Sequence, residues 1–328
     1  MMEELMRLPR RALLAAPLAT PAFAQAPWQP DRPIRVVVPL APGGATDVWA
    51  RLCLDPVSEI LRVPIVIENR SGAGTMIGSD VVAKAAPDGH TLLFTLTTLV
   101  QAPIVLGNAP YDAVRDFTPI GMMGTTVLVF MARSNLGPRT MPEFIDFARA
   151  RARAGRGLAL GSYAAGSTGH VFGLLINEKL NLGMTHVAYR GEAPMVTAYL
   201  GGELDCGLNS LTICREHVNA GKLIPLAALG DTRPASMPNV PTFVEHGADI
   251  GRGWSGFVGL LGPARMPPHI LARLEDAFRQ SMARENVRNR LAQLDTEVIW
   301  QGSQEFGQTV VRSRDMWAEL TRGVDLQL

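Results

Sequence analysis

Short apolar runs recur along the chain, and each leads into a segment whose apolar positions repeat at helical spacing. Ile34, Val36 and Val38 open the series and predict a strand over 34–40, with a helix beginning near Thr46. Pro56 falls inside that helix and is expected to kink or break it, because it removes a hydrogen bond. Strands follow at 64–69, 91–96 and 117–123, with a helix over about 75–85 between the first two. A second series starts at Val127, with strands at 127–131, 158–162, 185–189, 204–208 and 224–229. Its helices lie over about 140–154, 168–180, 193–200 and 213–220, the first opened by a capping box of Thr140 and Glu143. After the Pro-rich stretch 231–243 come a strand at 257–261, a helix over 268–284, and helical patterns at 287–294 and 304–322 around a strand at 296–300. This alternation predicts an α/β protein with largely parallel sheets. The second series is expected as a unit, 127–229, inserted into a first unit made of 25–126 and 230–328.

Residues 39–47, PLAPGGATD, form the link between the first strand and its helix. Gly43 and Gly44 allow a tight turn and close approach to a ligand, and Thr46 is the expected N-cap with Asp47 as a first-turn acid. The unpaired N–H groups of such a helix end suit a carboxylate or phosphate. The same pattern also fits a turn packed only for structure. GSYAAGSTGH (161–170) repeats the arrangement, with small hydroxyls between a strand and a helix. Two such ends facing each other suit a diacid. Thr95, Thr97 and Thr98 add hydroxyls at a strand's C-terminal end, where open α/β sheets bind ligands, or else lie in a solvated loop.

Composition narrows the function class. The 328 residues are 47% hydrophobic, enough for two cores of ordinary domain size. With 31 Lys plus Arg against 30 Asp plus Glu, there is no global attraction to nucleic acid or an anionic membrane. Arg7, Arg10 and Arg11, the apolar run 12–19 and the motif Ala22-Phe23-Ala24 predict a signal peptide over 1–24 and a mature chain from Gln25. The Arg10-Arg11 pair leaves the general secretory and twin-arginine routes both open. Export places the chain in the periplasm, an oxidising compartment, with Cys53, Cys206 and Cys214; whether the last two pair is left open by spacing alone.

Catalytic signatures fail one after another. There is no HExxH, GxSxG or P-loop, and the six histidines are scattered singly, so neither a metal site nor a nucleophile triad is expected. GAGTMIG (72–78) resembles a dinucleotide fingerprint, but Gly78 comes one residue late and no ribose-binding acid follows about twenty residues on. An NAD-type oxidoreductase is the alternative reading, and no cofactor is expected. These glycines are read as structural, so a Cβ at Gly74 is expected to leave ligand affinity unchanged.

Six segments carry a resemblance to a family: PLAPGGATD, VIENRSGAGTMIGSDVVAKAAPDGHTLLF (66–94), APYDAVRDFTPIG (109–121), GSYAAGSTGH, HVAYRGEAPM (186–195) and NVPTFVEHG (239–247). In order and spacing they resemble the tripartite tricarboxylate transporter substrate-binding proteins, or Bug proteins. The resemblance implies a two-lobed periplasmic binding fold of type II, a Venus flytrap in which each lobe is a mainly parallel sheet flanked by helices. It implies a non-enzymatic receptor, expected as a monomer, that closes over a small di- or tricarboxylate or related acid. Transporter subunits or a sensor kinase would be its partners, and nucleic acid would not. Carried over residue by residue, the first binding loop offers Ala41, Gly43, Gly44, Ala45, Thr46 and Asp47. The opposing loop offers Ser162, Ser167, Thr168 and His170, with Thr95 and Tyr189 as further candidates; His170 is equally readable as a helix-start histidine satisfied by backbone. The chain has Ser71 and Ala188 where the family commonly has Pro, and Asn209 where it commonly has an acid. A neutral Asn209 near the cleft can donate to a carboxylate and points to a ligand without an amino group.

Overall fold

The computed structural model describes residues 28–254 and 256–322, so the expected signal peptide and its cleavage site lie outside the described residues. β1 (Ile34–Val38) is apolar at four of its five positions because it lies inside a sheet covered on both faces. It leads into α1 (Ala45–Leu61), then β2 (Ile65–Asn69), α2 (Met76–Ala83) and β3 (Thr91–Leu96). α1 continues through Pro56, so of the expected kink or break the break does not occur. Pro56 leaves the Leu52 carbonyl without its helix donor, but the neighbouring Cys53 carbonyl accepts from Ser281 Oγ at 2.5 Å, so the packed helix opposite compensates the opened turn.

One helix escaped the sequence pattern. α3 (Thr98–Leu106) contains Pro103 and has almost no polar face, because it is covered on opposite sides by the two halves of the molecule. Beyond it lie β4 (Phe117–Thr126) and β5 (Leu128–Arg133), separated by Val127 alone. The second series then supplies α4 (Met141–Arg153), β6 (Ala159–Ser162), α5 (Thr168–Lys179), β7 (Thr185–Ala188), α6 (Glu192–Gly201), β8 (Cys206–Ser210), α7 (Leu211–Asn219) and β9 (Leu223–Ala228). Thr140 does cap α4, accepting from the Glu143 N–H at 3.4 Å, while Glu143 reaches back to the Arg139 N–H at 2.8 Å. β10 (Val258–Pro263), α8 (Pro268–Ala283), α9 (Glu285–Gln293), β11 (Thr296–Gly302) and α10 (Ser303–Leu320) close the described chain.

Two sheets result, ordered β11-β4-β10-β3-β1-β2 and β7-β6-β8-β5-β9. Most strands in each point one way, as expected, but the pairing is mixed. β1 pairs in parallel with β2 and β3, whereas β10 inserts antiparallel between β3 and β4. In the second sheet β6 pairs in parallel with β7 and β8, and β5 lies antiparallel to β8 and β9. The antiparallel pairs arise where the chain crosses between sheets and returns. β5 and β9 run side by side, with Val129 opposite Ala228 and the Leu229 N–H donating to the Leu128 carbonyl at 2.9 Å. Cys53, Cys206 and Cys214 are buried free thiols, so the Cys206–Cys214 pair left open by spacing does not form.

Candidate functional site

The two lobes meet over a cleft, and the N-termini of three helices converge on it. From the first lobe comes α1, with Gly44 as N-cap and Ala45 as the first helical residue. Thr46, the expected cap, is one position further in and lines the cleft as a buried side chain. Gly44 is buried rather than at the surface, and a Cβ there would sit 3.6 Å from the Glu192 nitrogen of the facing lobe. From the second lobe come α5, capped by Ser167, and α7, capped by Ser210. Trp49, Trp254, Tyr163, Phe257, Leu40 and Leu96 give the cleft an apolar body, with Thr97, Thr125 and Thr126 as hydroxyls along one side.

The first loop uses most of its own donors internally. The Ala41 N–H donates across the cleft to the Arg190 carbonyl at 2.9 Å. Gly43, at φ +78°, is exposed and donates its N–H to Asp47 Oδ2 at 3.0 Å. Burial opposes ionisation of Asp47, but the Arg51 guanidinium, the Gly43 N–H and the Asn69 amide outweigh it and hold the carboxyl below its usual range. Asp47 therefore braces the turn and lines no part of the cleft.

Of the candidates Ser162, Ser167, Thr168 and His170 in the opposing loop, only Thr168 lines the cleft. Its Oγ1 accepts from Gln101 Nε2 at 2.7 Å, a bond between α3 and α5 with both residues buried. Ser167 accepts from the His170 N–H at 3.2 Å, and Ser162 contacts His186 Nε2 at 2.8 Å. His170 is fully buried; its Nδ1 accepts from the Gly166 N–H at 2.9 Å, and its ring stacks on His186 at 4.0 Å. Of the two readings left open for His170, the structure favours backbone satisfaction. Burial and then the neighbouring His186 push its pKa down to about 4, and burial pushes His186 down to about 4 as well.

Three further candidates fall away from the cleft. Thr95 is buried within β3, opposite Gly259 of β10. Tyr189 lines a separate recess with Arg190 and the 71–75 turn. Asn209, expected near the cleft, lies inside its own lobe and donates to the Tyr199 hydroxyl and the Gly207 carbonyl, both at 3.0 Å. The strand alternation puts the next residue, Ser210, on the cleft side instead. The hint that Asn209 gave about the ligand therefore lapses.

Sequence reasoning missed Trp49, Thr126, Glu192, Ser210 and Trp254. Trp49 was legible in principle, standing one helical turn beyond Ala45 on the same face. Trp49 and Trp254 each carry an indole N–H without a protein partner, and Thr126 Oγ1 is likewise unpaired. Buried donors without partners in a cleft wall are the features that a ligand's acceptors satisfy. Among the described residues no cluster of three or more His, Cys, Asp and Glu is placed to hold a metal ion, and no helix is long and apolar enough to cross a membrane.

Two α/β lobes around an enclosed cleft define a solute-binding protein. The chain belongs to the family described as the tripartite tricarboxylate transporter family receptor, whose model matches residues 49–326. It is 30% identical to protein BugT of Bordetella pertussis over 323 residues, covering 96% of this chain and 94% of BugT. MatC from Rhodopseudomonas palustris with bound malate superposes with a TM-score of 0.82 at 29% identity, covering 89% of this chain and 99% of MatC. R. palustris Rpa4515 with adipate gives a TM-score of 0.83 at 26% identity, covering 89% and 97%.

Proposed function

We propose that this protein is a periplasmic receptor that captures a small organic acid between its lobes and passes it to a tripartite tricarboxylate-type transporter or a sensor. One observation carries the reading: helix N-termini from both lobes, with unpaired indole donors beside them, converge on one enclosed cleft. The malate and adipate bound by the structural neighbours support a carboxylate as ligand. Residues 127–229 form the second lobe, 25–126 and 230–328 the first, and the lobes hinge where β4 passes into β5 and β9 leaves its sheet. The reading is of a receptor and not an enzyme, in keeping with the receptor family to which the chain belongs. Ala41, Gly44, Ala45, Thr46 and Thr168 contribute to ligand contact, with Trp49, Thr126, Ser210 and Trp254 beside them.

The test is a thermal-shift screen of the mature protein against C3 to C10 mono-, di- and tricarboxylates. A ligand held only by the folded state raises the melting temperature, by an amount that grows with concentration above Kd. At least one acid is expected to do so and to shrink the radius of gyration. No shift with any acid at millimolar concentration overturns the reading. In that setting Thr168→Ala is expected to weaken binding about fivefold, or about 1 kcal/mol, because it deletes a hydrogen bond that joins the lobes. Calorimetric titration reads it, and parental affinity would mean the Gln101 bond does not contribute to closure.

A further inference from the structure

Resting on the reading that the cleft takes an organic acid, we propose that Glu192 makes it select a monoanion bearing a hydrogen-bond donor at its far end and reject the dianion of the same skeleton. Glu192 opens α6 and is 7% exposed. Its Oε1 accepts from the Ser210 N–H and its Oε2 from the Ser210 hydroxyl, each at 2.7 Å. Burial pushes its pKa up, and the two Ser210 bonds and the nearby Ala45 N–H, at the start of α1 in the facing lobe, act against that and favour the carboxylate. The protein's own carboxylate thus stands beside the helix start that the sequence offered to a ligand carboxylate.

Two consequences follow from the charges. Among the described residues lining the cleft Glu192 is the sole carboxylic acid and there is no Lys or Arg to offset an entering anion. A dianion would bring two negative charges into a weakly screened space already holding one, and desolvation and repulsion would both count against it. A monoanion needs only one set of donors, and the unpartnered indole N–H groups of Trp49 and Trp254 and the hydroxyl of Thr126 offer one. Trp49 is 2% exposed, so its N–H finds no compensation in bulk water. At the other end, Glu192 uses two of the roughly four lone-pair positions of a carboxylate on Ser210, leaving room for a ligand amide N–H. Asp47, the other acid nearby, is neutralised by Arg51 and faces away.

The experiment compares each C3 to C10 α,ω-diacid with its own monoamide by calorimetric titration of the full mature protein at pH 7.5. Matched pairs share length and apolar body and differ in one charge and one donor. The monoamide is expected to bind at least tenfold tighter than its diacid. Glu192→Gln is expected to bring the two within about threefold, mainly by improving the diacid. The ratio in the parent protein stands as a test even if the variant fails to fold. Diacids that bind as tightly as their monoamides, or monoamides that do not bind although other carboxylates do, overturn the inference and leave the receptor reading intact. Binding of no acid overturns both.

Discussion

Gly74→Ala is expected to lower ligand affinity about 30-fold, or about 2 kcal/mol, while the protein stays folded. Gly74 was expected to be silent, since its glycine-rich stretch fails as a cofactor fingerprint. The structure gives that stretch another use. Ala73, Gly74 and Thr75 all have positive φ, at 44°, 62° and 81°, and form a left-handed turn pressed against the opposite lobe. A Cβ on Gly74 would lie 2.5 Å from the Ala165 carbonyl oxygen across the seam, and 2.7 Å from Leu106 Cδ1 on its own side. Leu106 can move, being the end of a side chain. Ala165 offers backbone and cannot, so the clash is relieved by parting the lobes, and the cost falls on the closed state that holds ligand. An alanine at φ +62° adds about 1 kcal/mol of strain to folding itself. Calorimetric titration beside a thermal melt separates the two, and parental affinity in a folded Gly74→Ala protein would show that the seam does not close this tightly.

Acid is expected to weaken the fold well before the carboxylates are protonated. His170 and His186 stack with both pKa values pushed down to about 4, whereas an unfolded histidine titrates near 6.5. Between those values the unfolded chain binds more protons than the folded one, so stability rises with pH across the window and is lost as pH falls from about 6.5 towards 4. The full shifts summed over two rings are discounted by about half, because His186 is only half-buried, leaving about 3 kcal/mol between pH 7 and 4.5. His186→Gln keeps a neutral polar partner for Ser162 and removes one titrating ring and the stacked repulsion, so its stability should fall about half as steeply. Urea unfolding across this pH range reads both slopes. A flat parent profile, or an equally steep variant, would place the acid sensitivity elsewhere.

The elements of the fold were legible because burial stamps a period on each. β1 reads as an apolar run, α4 shows its capping box, and α8 and α10 carry the apolar spacing of helices with one face packed. α3 was illegible for the converse reason: covered by both lobes, it has no polar face to mark a helical period, and Thr98 at its start looked like a loop hydroxyl. The inserted series at 127–229 was legible in the order of segments, and the six family-like stretches pointed to the two-lobed fold.

Cleft composition is another matter. Sequence by itself determined that helix N-termini with small residues would open near Gly44 and Thr168, since backbone geometry at a strand-to-helix turn is a local property. Only the tertiary structure decided which groups those ends would hold. Asp47 was turned inward by Arg51 and Asn69, and Asn209 was placed under α6 while its neighbour Ser210 faced the cleft. Glu192 looked like an ordinary first-turn acid of its own helix until the lobes brought Ala45 and Ser210 around it. Local pattern specifies which donors and acceptors exist, but their pairing across a cleft depends on contacts between residues about 150 positions apart, which no window of sequence contains.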